Sequence, residues 1–390
     1  MSLERAKAAP LTVYLKMKMN GDPGFLDLLL PYYQNIRSLS VVRPVPVEQL
    51  TRALPNFFKS MPSLRSLTLE AGDWGQHIDP LDFSAAHTLK ELSLHSVPLY
   101  PSILNFRTLT KFSLVDYHFD LHLDVLLGFL EQNQSLESAT LCIGFGQPSL
   151  HNSQRQTPIE NRLLHLSINC DETAAGRALI SNIALQRGAA LEIRCRRPEI
   201  SLTAMLSGVS IAHLRNLSSP TFMEYQTFPR AIRLVGPDGS FSYSGIYSSE
   251  GTFRDFPVLP LDNIRELRLK HRASRAPTEL HLLPSHSLEV LVINSTDSRP
   301  ISTLLPLPDS ISSSLKTLAL LDCTITENFM TELVRFASRR EKHTSASLHR
   351  FVIAYSSNDQ LPSEASITRL RRHVAVVEVM EGRELPKDLL

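Results

Sequence analysis

"SSLKTLALLDCTIT", residues 313–326, decides the fold, because its apolar positions follow neither common period. Leu315, Leu318, Leu320, Cys323 and Ile325 stand at offsets 0, 3, 5, 8 and 10. A helix repeats its apolar residues every ~3.6 positions and a half-buried strand every second one. The spacing predicts a short strand at Leu318 and Leu320, then a corner that turns Cys323 and Ile325 back beneath it. So small a unit closes no core alone and requires copies on both sides.

Those copies are present. An apolar residue at i, i+3 and i+5 recurs at Ile36/Leu39/Val41, Leu64/Leu67/Leu69, Leu89/Leu92/Leu94, Leu109/Phe112/Leu114, Leu136/Ala139/Leu141 and Leu163/Leu166/Ile168. It returns at Ile264/Leu267/Leu269, Leu288/Leu291/Ile293, Leu315/Leu318/Leu320 and Leu348/Phe351/Ile353. The starts step by 28, 25, 20, 27 and 27 residues, then by 24, 27 and 33, around the ~20–29 residues of leucine-rich repeats. Helical spacing fills two of the intervals, at 46–58 and at 326–340, the latter with Thr326 as N-cap. Burying three leucine-sized side chains is worth about 5–9 kcal/mol, less than ordering some 25 residues costs. Each unit therefore depends on stacking against the next.

The expected fold class is α/β: an irregular leucine-rich-repeat solenoid, or horseshoe, with a parallel concave sheet and helices or irregular returns on the convex side. One continuous domain is expected, with an N-terminal cap at 1–35, repeats at 36–200, an irregular segment at 201–258, and repeats with a C-terminal cap at 259–390. Within the irregular segment, Ile232 and Leu234 face Phe241 and Tyr243 across Gly236, Pro237, Asp238 and Gly239, the pattern of a hairpin. It reads as a recognition element or, with more weight, as a seam that packs down.

Charge and motifs narrow the function. Forty basic residues balance thirty-nine acidic ones, a net charge of +1, against the one-signed field of a nucleic-acid or membrane-surface binder. Apolar runs such as "FLDLLL" are far shorter than the ~20 residues of a membrane span. The opening residues lack the apolar core of a secretion signal, which predicts a cytoplasmic or nuclear protein. Four scattered cysteines, Cys142, Cys170, Cys195 and Cys323, carry no metal-site spacing and fit reduced, buried thiols, with Cys323 satisfying backbone groups at a corner. No hydrolase, phosphate-loop, zinc-protease or dinucleotide motif occurs. His118 and His122 with Asp120 and Asp124 lack a further ligand at motif spacing. No enzyme activity, cofactor or metal is expected.

"LERAKAAPLTVYLKM" near the start, "LKELSLHSVPL", "FPRAIRLVGPDGSFSYSG" and the closing LxxLxL units, in that order, resemble the leucine-rich-repeat region of F-box proteins from mushroom-type fungi. The resemblance covers nearly all of the chain and begins just downstream of where that family carries its F-box. It implies the substrate receptor of a cullin-RING ubiquitin ligase, in which the F-box docks on the ligase's linker subunit and the repeats hold a target protein. Nothing before Leu3 matches an F-box. That leaves a shortened gene product, whose linker contact depends on an F-box upstream, or a repeat-only scaffold or inhibitor unconnected to ubiquitin.

Strand alternation lists the concave residues, at offsets 2, 4 and 6. Early strands offer Ser66, Thr68, Glu70, Glu91, Ser93, His95, His165, Ser167 and Asn169, small and polar. Glu266, Arg268 and Lys270 form a charged step. Val290, Val292, Asn294, Thr317, Ala319, Leu321, Arg350, Val352 and Ala354 follow, and apolar residues exposed beside a charged rim are expected to dock a protein. A strand at 373–380, or a register slip of one residue, would cover or invert that patch.

Overall fold

The computed structural model describes residues 9–16, 29, 31–42, 61–70, 87–97, 106, 108–117, 123–143, 158–197, 200–227, 230–245, 258–271, 287–295, 314–323, 325–344, 348–355 and 362–381. They fall into two compact units, 1–196 with 208–215, and 197–207 with 216–390. Both are α/β, with few helices beside long, mostly parallel runs of strands. The helix expected at 46–58 and the His118/His122 pair lie outside the described residues.

In unit 1 eight strands stand side by side, every pair parallel. They are β1 (Leu11–Lys16), β2 (Ile36–Val42), β3 (Ser66–Glu70), β4 (Glu91–His95), β5 (Lys111–Tyr117), β6 (Ser138–Ile143), β8 (His165–Cys170) and β10 (Ala190–Cys195). Two short strands, β7 (Ile159–Glu160) and β9 (Ile183–Ala184), pair separately. Helices α1 (Leu123–Gln132) and α2 (Thr173–Ser181) bury Leu126, Leu127, Phe129 and Leu130, and Ala175, Gly176, Leu179 and Ile180. Phe129 meets Phe112 of β5 with ring centroids 4.4 Å apart. α1 therefore covers the face that carries the leucines of offsets 3 and 5.

Unit 2 holds α3 (Leu202–Leu206) and the strands β11 (Phe222–Thr227), β12 (Arg230–Gly236), β13 (Gly239–Gly245), β14 (Glu266–His271), β15 (Val290–Ser295), β16 (Thr317–Leu321), β17 (Leu348–Tyr355) and β18 (Val374–Glu381). Their order is β13-β12-β11-β14-β15-β16-β17-β18. β12 is antiparallel to both neighbours and the rest are parallel. The hairpin is as expected, Gly236 facing Gly239, but β12 also pairs with β11 and so belongs to the strand run. Its aromatic residues are core: Phe241 and Tyr243 are buried, and the Tyr243 hydroxyl donates to Ile200 O at 2.9 Å.

A helix, α4 (Glu327–Thr344), buries Phe329, Met330, Leu333, Phe336 and Ala337, and Phe329 N donates to the Thr326 hydroxyl at 3.2 Å, the expected cap. α5 (Glu364–Leu370) is capped by Ser363. Glu327 joins the two helices by accepting from Ser363 N at 3.0 Å and the Ser366 hydroxyl at 2.7 Å. These bonds, Ser363 first, hold the Glu327 carboxyl below its usual pKa.

Offsets 3 and 5 of all ten leucine triplets fall on strands of these runs. At four of them a hydroxyl just before offset 0 reaches the backbone of the triplet before it. Thr88 donates to Leu64 O at 2.8 Å and Pro62 O at 2.9 Å, and Thr108 to Leu89 O at 2.8 Å and His87 O at 3.1 Å. Ser135 donates to Leu109 O at 2.9 Å, and in unit 2 Ser287 to Ile264 O at 3.0 Å. The amides at offsets 1 and 2 share one carbonyl: Lys90 N and Glu91 N meet Arg65 O at 2.7 and 2.9 Å, as Lys316 N and Thr317 N meet Glu289 O. At the corner after β16, Asp322 has φ 52, and the Cys323 thiol donates to Leu321 O at 3.1 Å and Ile293 O at 3.7 Å. The expected structural role of Cys323 is thus met.

Candidate partner-binding faces

Parallel register sets the side chains of alternate positions into rows that run across each set of strands at a spacing of ~4.8 Å. In unit 2 one row is Glu224, Arg268, Val292, Ala319, Val352 and Glu378. On its two sides run Phe222, Glu266, Val290, Thr317, Arg350 and Val376, and Gln226, Lys270, Asn294, Leu321, Ala354 and Met380. The expected site residues therefore do share one face.

Their exposure differs from the expectation. Val292 is 2% exposed, Ala319 and Val352 0%, and Leu321 6%. With Ala354 they form a closed hydrophobic cluster, against which Val290 and Met380 pack. Thr317 is buried as well, and every residue of β16 is buried on whichever side it points. The exposed apolar patch is corrected to a second core layer: alternation assigns a side chain to a face but says nothing of what covers that face, and parallel strands are commonly covered on both.

The charged residues of this face are already paired, and at its edge Val376 is 37% exposed. Arg268 Nε meets Glu266 at 2.6 Å, and its guanidinium lies 5.1 Å from the centre of the Phe222 ring. Lys270 meets Glu224 at 3.0 Å. Arg350 holds Glu378 of β18 through two bonds, at 3.0 and 2.9 Å. Asn294 is half-buried.

Unit 1 presents a different surface. Its central row reads Tyr14, Ser40, Thr68, Ser93, Ser113, Thr140, Ser167 and Glu192, one residue per strand. Tyr14 is 62% exposed, Ser40 through Thr140 are half-buried, and Ser167 is buried with its hydroxyl 3.2 Å from Glu192. The neighbouring row, Thr12, Ser38, Ser66, Glu91, Lys111, Ser138 and His165, is equally polar. Within it Lys111 bonds Glu91 at 2.8 Å. That bond holds the Glu91 carboxyl below its ordinary pKa and raises the Lys111 ammonium. Arg194 pairs with Glu192 at 2.7 Å at the far end.

This row is what the site expectation passed over. Offsets 2, 4 and 6 already placed Thr68, Ser93 and Ser167 on the face, but apolar content drew the choice to the C-terminal strands. The signal was there as a serine or threonine at offset 4 in unit after unit: Ser40, Thr68, Ser93, Ser113, Thr140 and Ser167. Six small hydroxyls in register give a surface with both donors and acceptors and little side-chain freedom to lose on contact.

No group of three or more histidine, cysteine or acidic side chains among the described residues is arranged to hold a metal ion. The four cysteines are buried and reduced. The Cys170 and Cys195 sulfurs lie 3.7 Å apart on paired strands, where their mutual hydrogen bond and burial raise the Cys170 pKa and disfavour its reactive thiolate. Among the described residues, no helix is long and apolar enough to cross a membrane. A scan of protein-family models finds no match to this chain, and a search of curated proteins finds none.

Proposed function

We propose that the chain is a protein-binding module of leucine-rich-repeat type, each unit a stacked arc of solenoid repeats, and that unit 1 holds the partner on its hydroxyl-lined sheet face. The observation that carries this reading is the row from Tyr14 to Glu192, eight side chains on eight parallel strands, on the face opposite the leucines and α1. Its uncharged middle is flanked by the Glu91–Lys111 and Glu192–Arg194 pairs, a distribution that favours a polar, sign-balanced protein surface over a polyanion. In unit 2 the paired charges Glu266, Arg268 and Lys270 fit a polar rim.

Within that reading, the chain acts as the target-holding part of an F-box-type receptor of a cullin-RING ubiquitin ligase, without chemistry of its own. Support comes from the ordered phrases at residues 3–17, 89–99 and 228–245. The test is affinity purification of the tagged natural gene product from mushroom-type fungal cells. Recovery of the ligase's linker subunit together with a target supports the receptor role. Repeated recovery of a target without that subunit points to the scaffold or inhibitor instead.

A further inference from the structure

Unit 1 carries a second feature, on residues that the sheet face does not use. Segments 159–161, 183–187 and 213–215 form a narrow strip: β7 pairs with β9, Leu185 bridges Leu214 in parallel, and Leu185 N donates to His213 O at 2.9 Å. Together they line a cleft of about 510 Å³. That volume lies inside the ~300–1,000 Å³ of small-molecule sites.

Its walls are held in place. Ala184 and Leu185 form its floor and are almost wholly buried. Gln186 donates through Nε2 to Asn161 O at 2.8 Å, and Asn161 through Nδ2 to Leu130 O at 3.0 Å. The charged lining residues are Arg187, Arg215 and Glu160, a balance of one positive charge. Arg215 lies 3.7 Å from Glu160, whose side chain is 81% exposed. An ion pair that long and that wet contributes little, so an incoming anion displaces it readily. Guanidinium groups match the planar oxygens of carboxylate and phosphate better than any other side chain.

We propose that this cleft binds a small organic oxyanion, a carboxylate or phosphate ester. Arg187 and Arg215 take the charged end, above a floor formed by Ala184 and Leu185. The site stands independently of the partner-binding face, since the two share no residue.

The experiment is calorimetric titration of the full chain, at low ionic strength, with butyrate and propyl phosphate. At least one of them is expected to bind one to one with a Kd below about 1 mM, and the tighter of the two identifies the head group. Arg187→Ala with Arg215→Ala should weaken binding about tenfold or more, and Glu160→Gln should strengthen it. All three side chains are exposed, so the variants are expected to fold. If the alanine pair does not, Arg187→Lys with Arg215→Lys decides, because losing the forks must still weaken binding. Absence of binding by both organic probes at about 10 mM, or undiminished binding in the variant pair, overturns the proposal.

Discussion

Replacing Thr88 with valine removes the tie between one strand unit and the one before it while keeping side-chain shape. The Thr88 hydroxyl donates to Leu64 O at 2.8 Å and Pro62 O at 2.9 Å, the second contact being solvent-exposed. A neutral hydrogen bond contributes about 0.5–1.5 kcal/mol net. The exposed bond is replaced by water and counts least, so Thr88→Val is expected to lose about 1–2 kcal/mol. The loss is local, because each unit touches chiefly its neighbours. Amide hydrogen exchange therefore reads it better than a global melt, which mixes two units. Exchange across β3 and β4 should accelerate about 5- to 30-fold, with β16 and β17 unchanged. Thr68→Val, on the sheet face one strand earlier, serves as the control and should change exchange less than about twofold. Equal effects of the two substitutions, or acceleration spread evenly over both units, would refute the view that the hydroxyl before each leucine ties the stack.

Val292→Asp should disrupt β14–β17 by several kcal/mol, since a carboxylate placed in that cluster has no water; circular dichroism and near-UV spectra check it, and a normally folded variant would restore the exposed-patch reading. Gly236→Ala forces a Cβ to within 2.5 Å of Ser219 O, a backbone atom. A loss of 1 kcal/mol or more at the hairpin is predicted, roughly the cost of local backbone strain, measurable as faster exchange in β12 and β13. Glu327 has a folded pKa below the ordinary glutamate value. Its contribution is present above that value and lost as pH falls through the folded pKa. Protection of α4 and α5 should therefore decline below about pH 4.5 in wild type, and Glu327→Gln should flatten that dependence.

The strands were legible because three buried positions per unit leave a mark at fixed intervals. Four strands that pair in parallel with a triplet strand escaped the scan. Register places Gly188 and Pro220 where β10 and β11 should begin with an apolar residue, and in β1 a shift of register sets Leu11, only two residues before Val13, opposite Ile36. Gly188 has φ +84, a conformation that a leucine would adopt only with strain. The fourth, β18, repeats the pattern through Val374, Val377 and Val379. The hydroxyl ties were written as Ser-Leu or Thr-Leu at the head of many units, yet a single serine before a leucine carries no signal without knowledge of which carbonyl lies across from it. The binding face failed differently. Val292, Ala319 and Val352 were assigned to the correct side, but cover over a side is a property of tertiary structure.

The central claim is that a partner sits on the hydroxyl row of unit 1. Ser93 and Ser113, adjacent in register and half-buried at the middle of that row, are the place to test it. The direct measurement is the affinity of the full chain for its co-purified partner, before and after Ser93→Arg with Ser113→Arg. Two long cations at the centre of a small-residue surface should weaken binding at least about tenfold by steric and charge mismatch, with the spectrum of the folded chain unchanged. Undiminished affinity in a folded variant would contradict the account.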